Sequence, residues 1–143
     1  MFRKILLAID GSASALNAAD YAIELAKETN SELEIVHIVR FAMGNIDAGI
    51  LPKDVEEKEK EQAIQLINKI KEEHGDVKIQ DFETIGRPVK EINHEIKEWE
   101  ADLLIIGHHT HSFFEKLFIN SFENDLLKNL KIPLLTIPAK YKC

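Results

Sequence analysis

Residues 102–121, DLLIIGHHTHSFFEKLFINS, start with an apolar run and end on a hydroxyl group that precedes a helical pattern. The run Asp102–Ile106 predicts a buried β-strand, and Ser121–Leu130 predicts a helix. The loop between them therefore joins a strand end to a helix start. Unpaired backbone N–H groups and the helix dipole converge at such a place and favour an anion or a nucleotide phosphate.

Outward from this stretch, apolar runs alternate with helical stripes along the whole chain. The other predicted strands are Lys4–Ile9, Glu32–Val39, Val77–Ile85 and Ile132–Ile137, and the other predicted helices are Ser14–Thr29, Lys53–His74 and Pro88–Trp99. Such alternation is typical of a parallel sheet covered by crossover helices. Residues Phe41–Pro52, which include two glycines, are predicted to form a connecting loop.

The last predicted strand contains Pro133, whose nitrogen carries no hydrogen for a sheet ladder. We therefore expect this strand at an edge of the sheet. An edge such as Leu134–Ile137, with open backbone groups beside apolar side chains, favours pairing with a second copy of the chain.

Length and charge limit the class of protein. With 143 residues, 45% of them hydrophobic and 30% charged, the chain fits one domain over residues 1–143. Its 18 Lys and Arg residues against 25 Asp and Glu residues give a net charge of -7. A negative chain is repelled by phosphate backbones, so we expect no nucleic-acid partner.

Cysteine use and hydropathy indicate the compartment. The single cysteine, Cys143, allows no disulfide framework. The first apolar run breaks at Asp10 without a secretory cleavage pattern, and no run reaches the length of a membrane span. We therefore expect a cytoplasmic protein with no membrane partner.

Ligands of open α/β sheets bind outside the carboxyl ends of the strands, where the winding reverses. Asp10, Ile38 and Gly107 occupy those ends in the predicted arrangement. The Asp10 carboxylate could accept hydrogen bonds from a ribose or a base, or hold a metal. It could equally cap the following helix, and both roles are compatible with the sequence.

Three histidines, His108, His109 and His111, follow the same strand end and raise the question of zinc. No carboxylate or cysteine follows within the loop at ligand spacing, and adjacent imidazoles rarely aim at one ion. We therefore expect no metal site. Protonated histidines at this place could instead donate hydrogen bonds to an anion.

Four segments in this order resemble the universal stress protein family: KILLAIDGS at 4–12, IVHIV at 35–39, DLLIIGHHT at 102–110 and SFENDLLKNLKIPLLTIP at 121–138. The resemblance implies five parallel strands in the order 3-2-1-4-5 with helices on both faces. This is a Rossmann-like fold of the adenine nucleotide alpha hydrolase-like kind. It also implies a role in the stress response and a homodimer through the last strand.

Members of that family that bind ATP carry two glycines three residues apart, then about nine residues, then glycine and a hydroxyl residue. Gly107 and Ser121 match this motif, whereas Thr110 and Asn120 replace two of its glycines. The resemblance thus implies cofactor-binding positions at Ala8, Asp10, Ile38, Gly107, His109, Thr110, Asn120, Ser121 and Phe122.

The two replaced glycines differ in their consequences. Asparagine tolerates positive φ, so Asn120 could keep a phosphate turn. Threonine is β-branched, and the left-handed region costs such a residue roughly 1–2 kcal/mol. The Thr110 side chain would also fill space where backbone should approach phosphate. We therefore expect a degenerate pocket that does not bind ATP in the family manner; the alternative is a nucleotide-dependent switch that binds ATP with magnesium.

Catalytic patterns are missing from the sequence. It contains no nucleophile elbow and no phosphate-binding loop with Gly-Lys-Ser or Gly-Lys-Thr, and Asp10 has no second acid at a strand end. We therefore expect a protein that is not an enzyme, although slow ATP hydrolysis is compatible with the alternative. Four phenylalanines in and after the loop favour packing onto the protein over a partner surface: Phe113, Phe114, Phe118 and Phe122.

Overall fold

Five strands and four helices alternate along the chain in the computed structural model, which describes residues 2–9, 13–40, 52–108 and 122–138. In chain order they are β1 (Lys4–Ile9), α1 (Ala13–Thr29), β2 (Glu32–Arg40), α2 (Pro52–Glu73), β3 (Ile79–Gly86), α3 (Pro88–Trp99), β4 (Leu103–His108), α4 (Phe122–Asn129) and β5 (Leu134–Pro138). The predicted sequence of elements is confirmed. Apart from Pro52, the predicted loop Phe41–Pro52 lies outside the described residues.

The strands form one parallel sheet in the spatial order β3-β2-β1-β4-β5, as predicted. β1 lies at the centre, where Ala8 is level with Val36 of β2 and with Ile106 of β4. The chain therefore winds from β1 outward to β3 and then returns past β1 to β4 and β5. This reversal of winding lies between β1 and β4, which is where open α/β sheets place their ligands.

Helices cover both faces of the sheet, because successive side chains of a strand point to opposite faces. One buried cluster joins α1 and α2 to the sheet and takes Ile5, Leu7 and Ile9 from β1. The other takes Leu6 and Ala8 from β1 and is covered by α3 and α4. All five of these side chains are at most 2% exposed, so β1 is buried on both faces as its continuous apolar run predicts.

α1 approaches the sheet closely because its inner face consists largely of alanines. Ala18, Ala19, Ala22 and Ala26 are each at most 1% exposed, and the helix packs against β1 and β4. Small side chains leave room for the helix backbone near the strands. The helix is followed by Asn30 at φ 54°, a conformation that asparagine adopts readily at helix ends.

α2 is amphipathic. Ala63, Ile67 and Ile70 are at most 4% exposed and face the sheet, whereas most of the Glu and Lys residues around them are exposed. None of the helices within the described ranges is both long enough and apolar enough to cross a membrane.

The start of β4 differs from the prediction by one residue. Asp102 was expected to begin the strand, but β4 runs from Leu103 to His108. The Asp102 carboxylate instead accepts hydrogen bonds from the backbone N–H groups of Arg3, at 2.9 Å, and Lys4, at 3.2 Å. A carboxylate at this position satisfies backbone donors at the start of β1, which β4 would otherwise leave open.

β5 lies at an edge of the sheet, as the proline at its start predicts. The strand begins at Leu134, two residues later than expected, so Pro133 immediately precedes it. The Pro133 carbonyl oxygen accepts a hydrogen bond from the backbone nitrogen of Leu104 at 3.0 Å. The missing N–H of Pro133 thus costs no ladder bond, whereas its carbonyl extends the pairing with β4.

Candidate functional site

Three predicted site residues lie on adjacent strands at the carboxyl edge of the sheet. Ala8 precedes the last residue of β1, Gly107 precedes the last residue of β4, and Ile38 lies near the end of β2. The strand pairing places Ala8 level with Ile106, so Gly107 is one residue further along the same direction. We call Ala8, Ile38 and Gly107 the strand-end site.

The strand-end site is apolar, and its Ala8 and Ile38 side chains are buried against α3. Ala8 is 0% exposed and Ile38 is 1% exposed, and both belong to the cluster that α3 covers through Ile92. Gly107 is also buried. Side chains of this kind can contact the flat face of a base but cannot neutralise a phosphate, so charge recognition must come from other residues.

The other predicted positions lie beyond these strand ends. Asp10, His109, Thr110, Asn120 and Ser121 fall outside the described residues. Their positions in the chain directly continue β1 and β4 or directly precede α4.

Phe122, the remaining predicted position, is the first residue of α4. The helix therefore begins immediately after Ser121, as the sequence indicates. A helix that starts behind the carboxyl edge directs its free N–H groups toward ligands at that edge. The start of α4 is therefore the described helix end that could receive an anion after β4.

A sharp turn from β3 into α3 borders the same edge. Gly86 ends β3, level with Arg40 of β2, and Pro88 begins α3. A Cβ atom at Gly86 would lie 2.6 Å from Oε1 of Glu91, so the flexible Glu91 side chain would have to shift to admit a larger residue. Glu91 Oε2 also accepts a hydrogen bond from the Thr84 hydroxyl group at 3.5 Å. The first turn of α3 is therefore packed tightly against the end of β3.

A buried carboxyl group lies on the same face of the sheet, further from the carboxyl edge. Glu34 of β2 is 2% exposed, and its Oε2 accepts a hydrogen bond from Nε2 of Gln80 on β3 at 2.7 Å. Burial, together with a hydrogen bond to the Glu95 carboxyl group of α3, raises the pKa of Glu34 from 4.5 to about 8. Glu34 therefore favours the protonated form in the folded protein.

A second pair of acids lies on the opposite face, below α2. Burial and a hydrogen bond to Asp81 raise the pKa of Glu83. Burial also opposes ionisation of Asp81, but hydrogen bonds to Lys71 and Glu83 outweigh it and lower the pKa of Asp81. Asp81 is thus the ionised member of this pair, and the Lys71 ammonium group compensates its charge.

The described residues offer no metal centre. Within residues 2–9, 13–40, 52–108 and 122–138, no group of three or more histidine, cysteine or acidic side chains is arranged to hold an ion. Of the three histidines after β4, His108 ends the strand, and His109 and His111 fall outside the described ranges.

Sequence reasoning missed the buried Glu34. The segment Glu32–Val39 was predicted as a strand, with no role for its acidic residues. The signal was available, because an acid flanked by Leu33 and Ile35 in a strand buried on both faces must find a partner. The partner itself, Glu95, comes from a distant helix whose rotation the sequence pattern does not define.

Comparison with known proteins identifies relatives over nearly the whole chain. The model of the Universal stress protein family matches residues 1–138. Universal stress protein YxiE of Bacillus subtilis is 30% identical, covering 96% of this chain and 99% of its own length. Universal stress protein MJ0531 of Methanocaldococcus jannaschii is 29% identical, covering 99% of this chain and 85% of its own length.

Solved structures share the fold. UspA from Lactobacillus plantarum superposes with a TM-score of 0.78 at 15% identity, covering 95% of this chain and 97% of its own. A universal stress protein in complex with cAMP gives 0.67 at 22% identity, with 97% and 98% covered. The protein from Archaeoglobus fulgidus in complex with dAMP gives 0.66 at 18% identity, with 95% and 98% covered.

Proposed function

Since this chain belongs to the universal stress protein family, we propose that it is a homodimeric regulatory protein with a pocket that does not hold ATP in the family manner. The observation that carries this proposal is the contrast between two parts of the same site. The strand ends retain a buried, apolar floor, whereas the loop that would hold a triphosphate has lost two glycines. Regulation through a partner or a different small ligand fits this combination.

The floor of the pocket supports binding of a flat, apolar group. Ala8 and Ile38 are buried beside the reversal of winding, and Gly107 precedes the last residue of β4. A base could lie against these residues without displacing a charged side chain.

The loop argues against a triphosphate. Thr110 would need a left-handed backbone where the motif has glycine, and its side chain would stand where phosphate oxygens approach the backbone. Asn120 tolerates that backbone better. Affinity for the β- and γ-phosphates is therefore lost first at position 110.

Self-association through β5 is the second part of the proposal. Leu134 and Leu135 are half-buried, and Thr136 is exposed on this edge strand. Leu16, on a helix that contacts β5, is also exposed, by 42%. An edge strand with open backbone groups and partly exposed apolar side chains is suited to pairing with a second copy.

A second candidate function is a switch that binds an adenine nucleotide. The specific observation in its favour is that two proteins of the same fold were solved with cAMP and dAMP, each of which carries a single phosphate. A nucleoside monophosphate needs the strand-end floor and the α4 start but not the full triphosphate loop. Under this candidate, AMP or cAMP binds and ATP with magnesium binds weakly. Neither candidate requires catalysis.

Thermal unfolding with AMP, cAMP, ATP with magnesium, or no ligand tests both candidates. A ligand at a hundredfold excess over its dissociation constant adds about 2.7 kcal/mol, which raises Tm by about 10 °C for a domain of this size. A monophosphate-specific shift supports the switch, and no shift with any nucleotide supports regulation without one. A shift with ATP equal to or above that with AMP contradicts the loop argument.

Restoring the loop provides the matched comparison. Thr110→Gly combined with Asn120→Gly should create or strengthen the ATP-dependent shift. Asn30→Gly is the control, because it makes the same asparagine change at a position of positive φ just after α1. If the double variant gains no ATP binding, the two residues do not explain the altered pocket.

A further inference from the structure

The contact between α3 and the sheet contains two acids where apolar packing would be expected. Glu34 projects from β2 on the same face as Leu6, its neighbour on β1, and Gln80, its neighbour on β3. Its 2% exposure makes it one of the most buried polar residues described. The Glu95 carboxyl group of α3 meets it from above. We call Glu34 and Glu95 the acid pair.

The acid pair needs one proton to exist as a contact. Two ionised carboxylates at hydrogen-bond distance repel each other, whereas a protonated carboxyl group donates to an ionised one. Glu34 is the natural holder of the proton, since it is buried and Glu95 is half-buried. The Gln80 amide donates to Oε2 of Glu34 and holds this side chain beside β3.

Among the described residues, one cation acts on the acid pair from a distance: the charge of Lys4 opposes the rise in the pKa of Glu34. Lys4 of β1 is on the same face, but its Nζ donates to the Trp99 carbonyl oxygen at 3.1 Å and lies 5.5 Å from the centre of the Trp99 ring. Glu32, at the start of β2, forms an ion pair with Lys78, which precedes β3. Asp102, which precedes β4, accepts hydrogen bonds from the backbone N–H groups of Arg3 and Lys4. Near the other end of α3, Glu91 accepts from Thr84.

The acid pair lies within the apolar stripe that attaches α3 to the sheet. Ile92 precedes Glu95 on α3 and is 0% exposed, and Ile96 and Trp99, which follow Glu95, pack against the same cluster. That cluster also contains Ala8 and Ile38 of the strand-end site. Two negative charges between these residues would push α3 away from β2 and loosen the packing below the site.

We propose that a proton shared by Glu34 and Glu95 holds α3 on β2, so that its loss at alkaline pH loosens α3 and the packing beneath the strand-end site. The device depends on the carboxyl contact, the Gln80 amide and the occupied Lys4. It operates whether or not a nucleotide binds. A rise in pH therefore acts on the site through the fold rather than through the ligand.

Hydrogen exchange of the α3 amides tests this proposal in the full chain. After correction for the intrinsic pH dependence of exchange, protection of the amides of Ile92–Trp99 should fall at least about tenfold between about pH 6 and about pH 9. The Gln side chain of Glu34→Gln can still donate a hydrogen bond to Glu95 but cannot ionise. In this variant, protection of the Ile92–Trp99 amides should therefore stay constant over the same pH range. Glu98→Gln, at an exposed position of α3, is the matched control and should behave as the unmodified chain.

A second measurement tests the proposal in the unmodified protein, so it does not depend on the folding of Glu34→Gln. In the unmodified protein, the carboxyl ¹³C resonance of Glu34 should titrate at a higher pH than the other glutamates, and Glu95→Gln should lower its midpoint. The proposal is overturned if Glu34 titrates in the ordinary acidic range. Level α3 protection in the unmodified chain, or an equal fall in Glu34→Gln, overturns it as well.

Discussion

The free energy of unfolding is expected to fall as the pH rises from about 5 to about 8, and Glu34→Gln should remove most of this fall. Folding raises the pKa of Glu34 from 4.5 to about 8. Between these values the folded state keeps a proton that the unfolded chain releases. The stabilisation is therefore complete below the unfolded pKa and is lost as the pH rises toward the folded pKa.

The size of the effect follows from the same two values. Each pKa unit corresponds to about 1.4 kcal/mol, so the rise in the pKa of Glu34 from 4.5 to about 8 sets an upper bound on the order of 5 kcal/mol. The acid pair is half-open on the Glu95 side, and water relaxing around that carboxylate reduces the penalty. We therefore expect a loss of roughly 2–3 kcal/mol, which is a large part of the 5–15 kcal/mol typical of a folded domain.

Urea unfolding at a series of pH values measures this difference directly. The slope should be close to one proton per molecule between about pH 5 and about pH 6 for the unmodified protein and markedly smaller for Glu34→Gln. Glu83, whose pKa is also raised by burial, should leave a residual fall of the same sign in the variant. Parallel curves for the two proteins would refute the assignment of the proton to Glu34.

Three further predictions concern packing and assembly. Ile92→Ala should lower the free energy of unfolding in urea by about 2–5 kcal/mol, because this side chain of α3 is 0% exposed in the core between α3 and the sheet. Thr136→Lys on β5 should convert a dimer to a monomer in light scattering, whereas Phe82→Lys on the opposite edge strand should leave the mass unchanged. Gly86→Ala should destabilise by less than about 1 kcal/mol in the same urea assay, because the Glu91 side chain can move away from the added methyl group, and combining it with Glu91→Ala should remove most of that small loss.

The sheet was predictable because its central strands are apolar without interruption. Lys4–Ile9 was predicted with the boundaries that the structure gives, since a strand buried on both faces leaves no ambiguity of face or register. The edge position of β5 followed from Pro133. Strand ends were less certain where a polar side chain replaces a ladder bond, as Asp102 does at the start of β4.

The candidate site was only partly predictable. Ala8, Ile38 and Gly107 could be assigned to one edge because parallel strands end together. The acid pair could not, since the rotation of α3 that brings Glu95 over Glu34 depends on how its whole apolar stripe packs. A periodic pattern defines which face of a helix is buried, but it does not say which residue of another element that face will meet.

The position of β1 has a consequence for synthesis on the ribosome. The first strand to be made is the centre of the sheet, and its bond to the Asp102 carboxylate joins residues 98 positions apart in sequence. Until residues 103–108 emerge, one backbone edge of β1 has no strand beside it, because β2 pairs only with the other edge. Chains truncated before this point would therefore expose the unpaired edge of an apolar strand. We expect such chains to bind chaperones or aggregate rather than to form a stable partial fold.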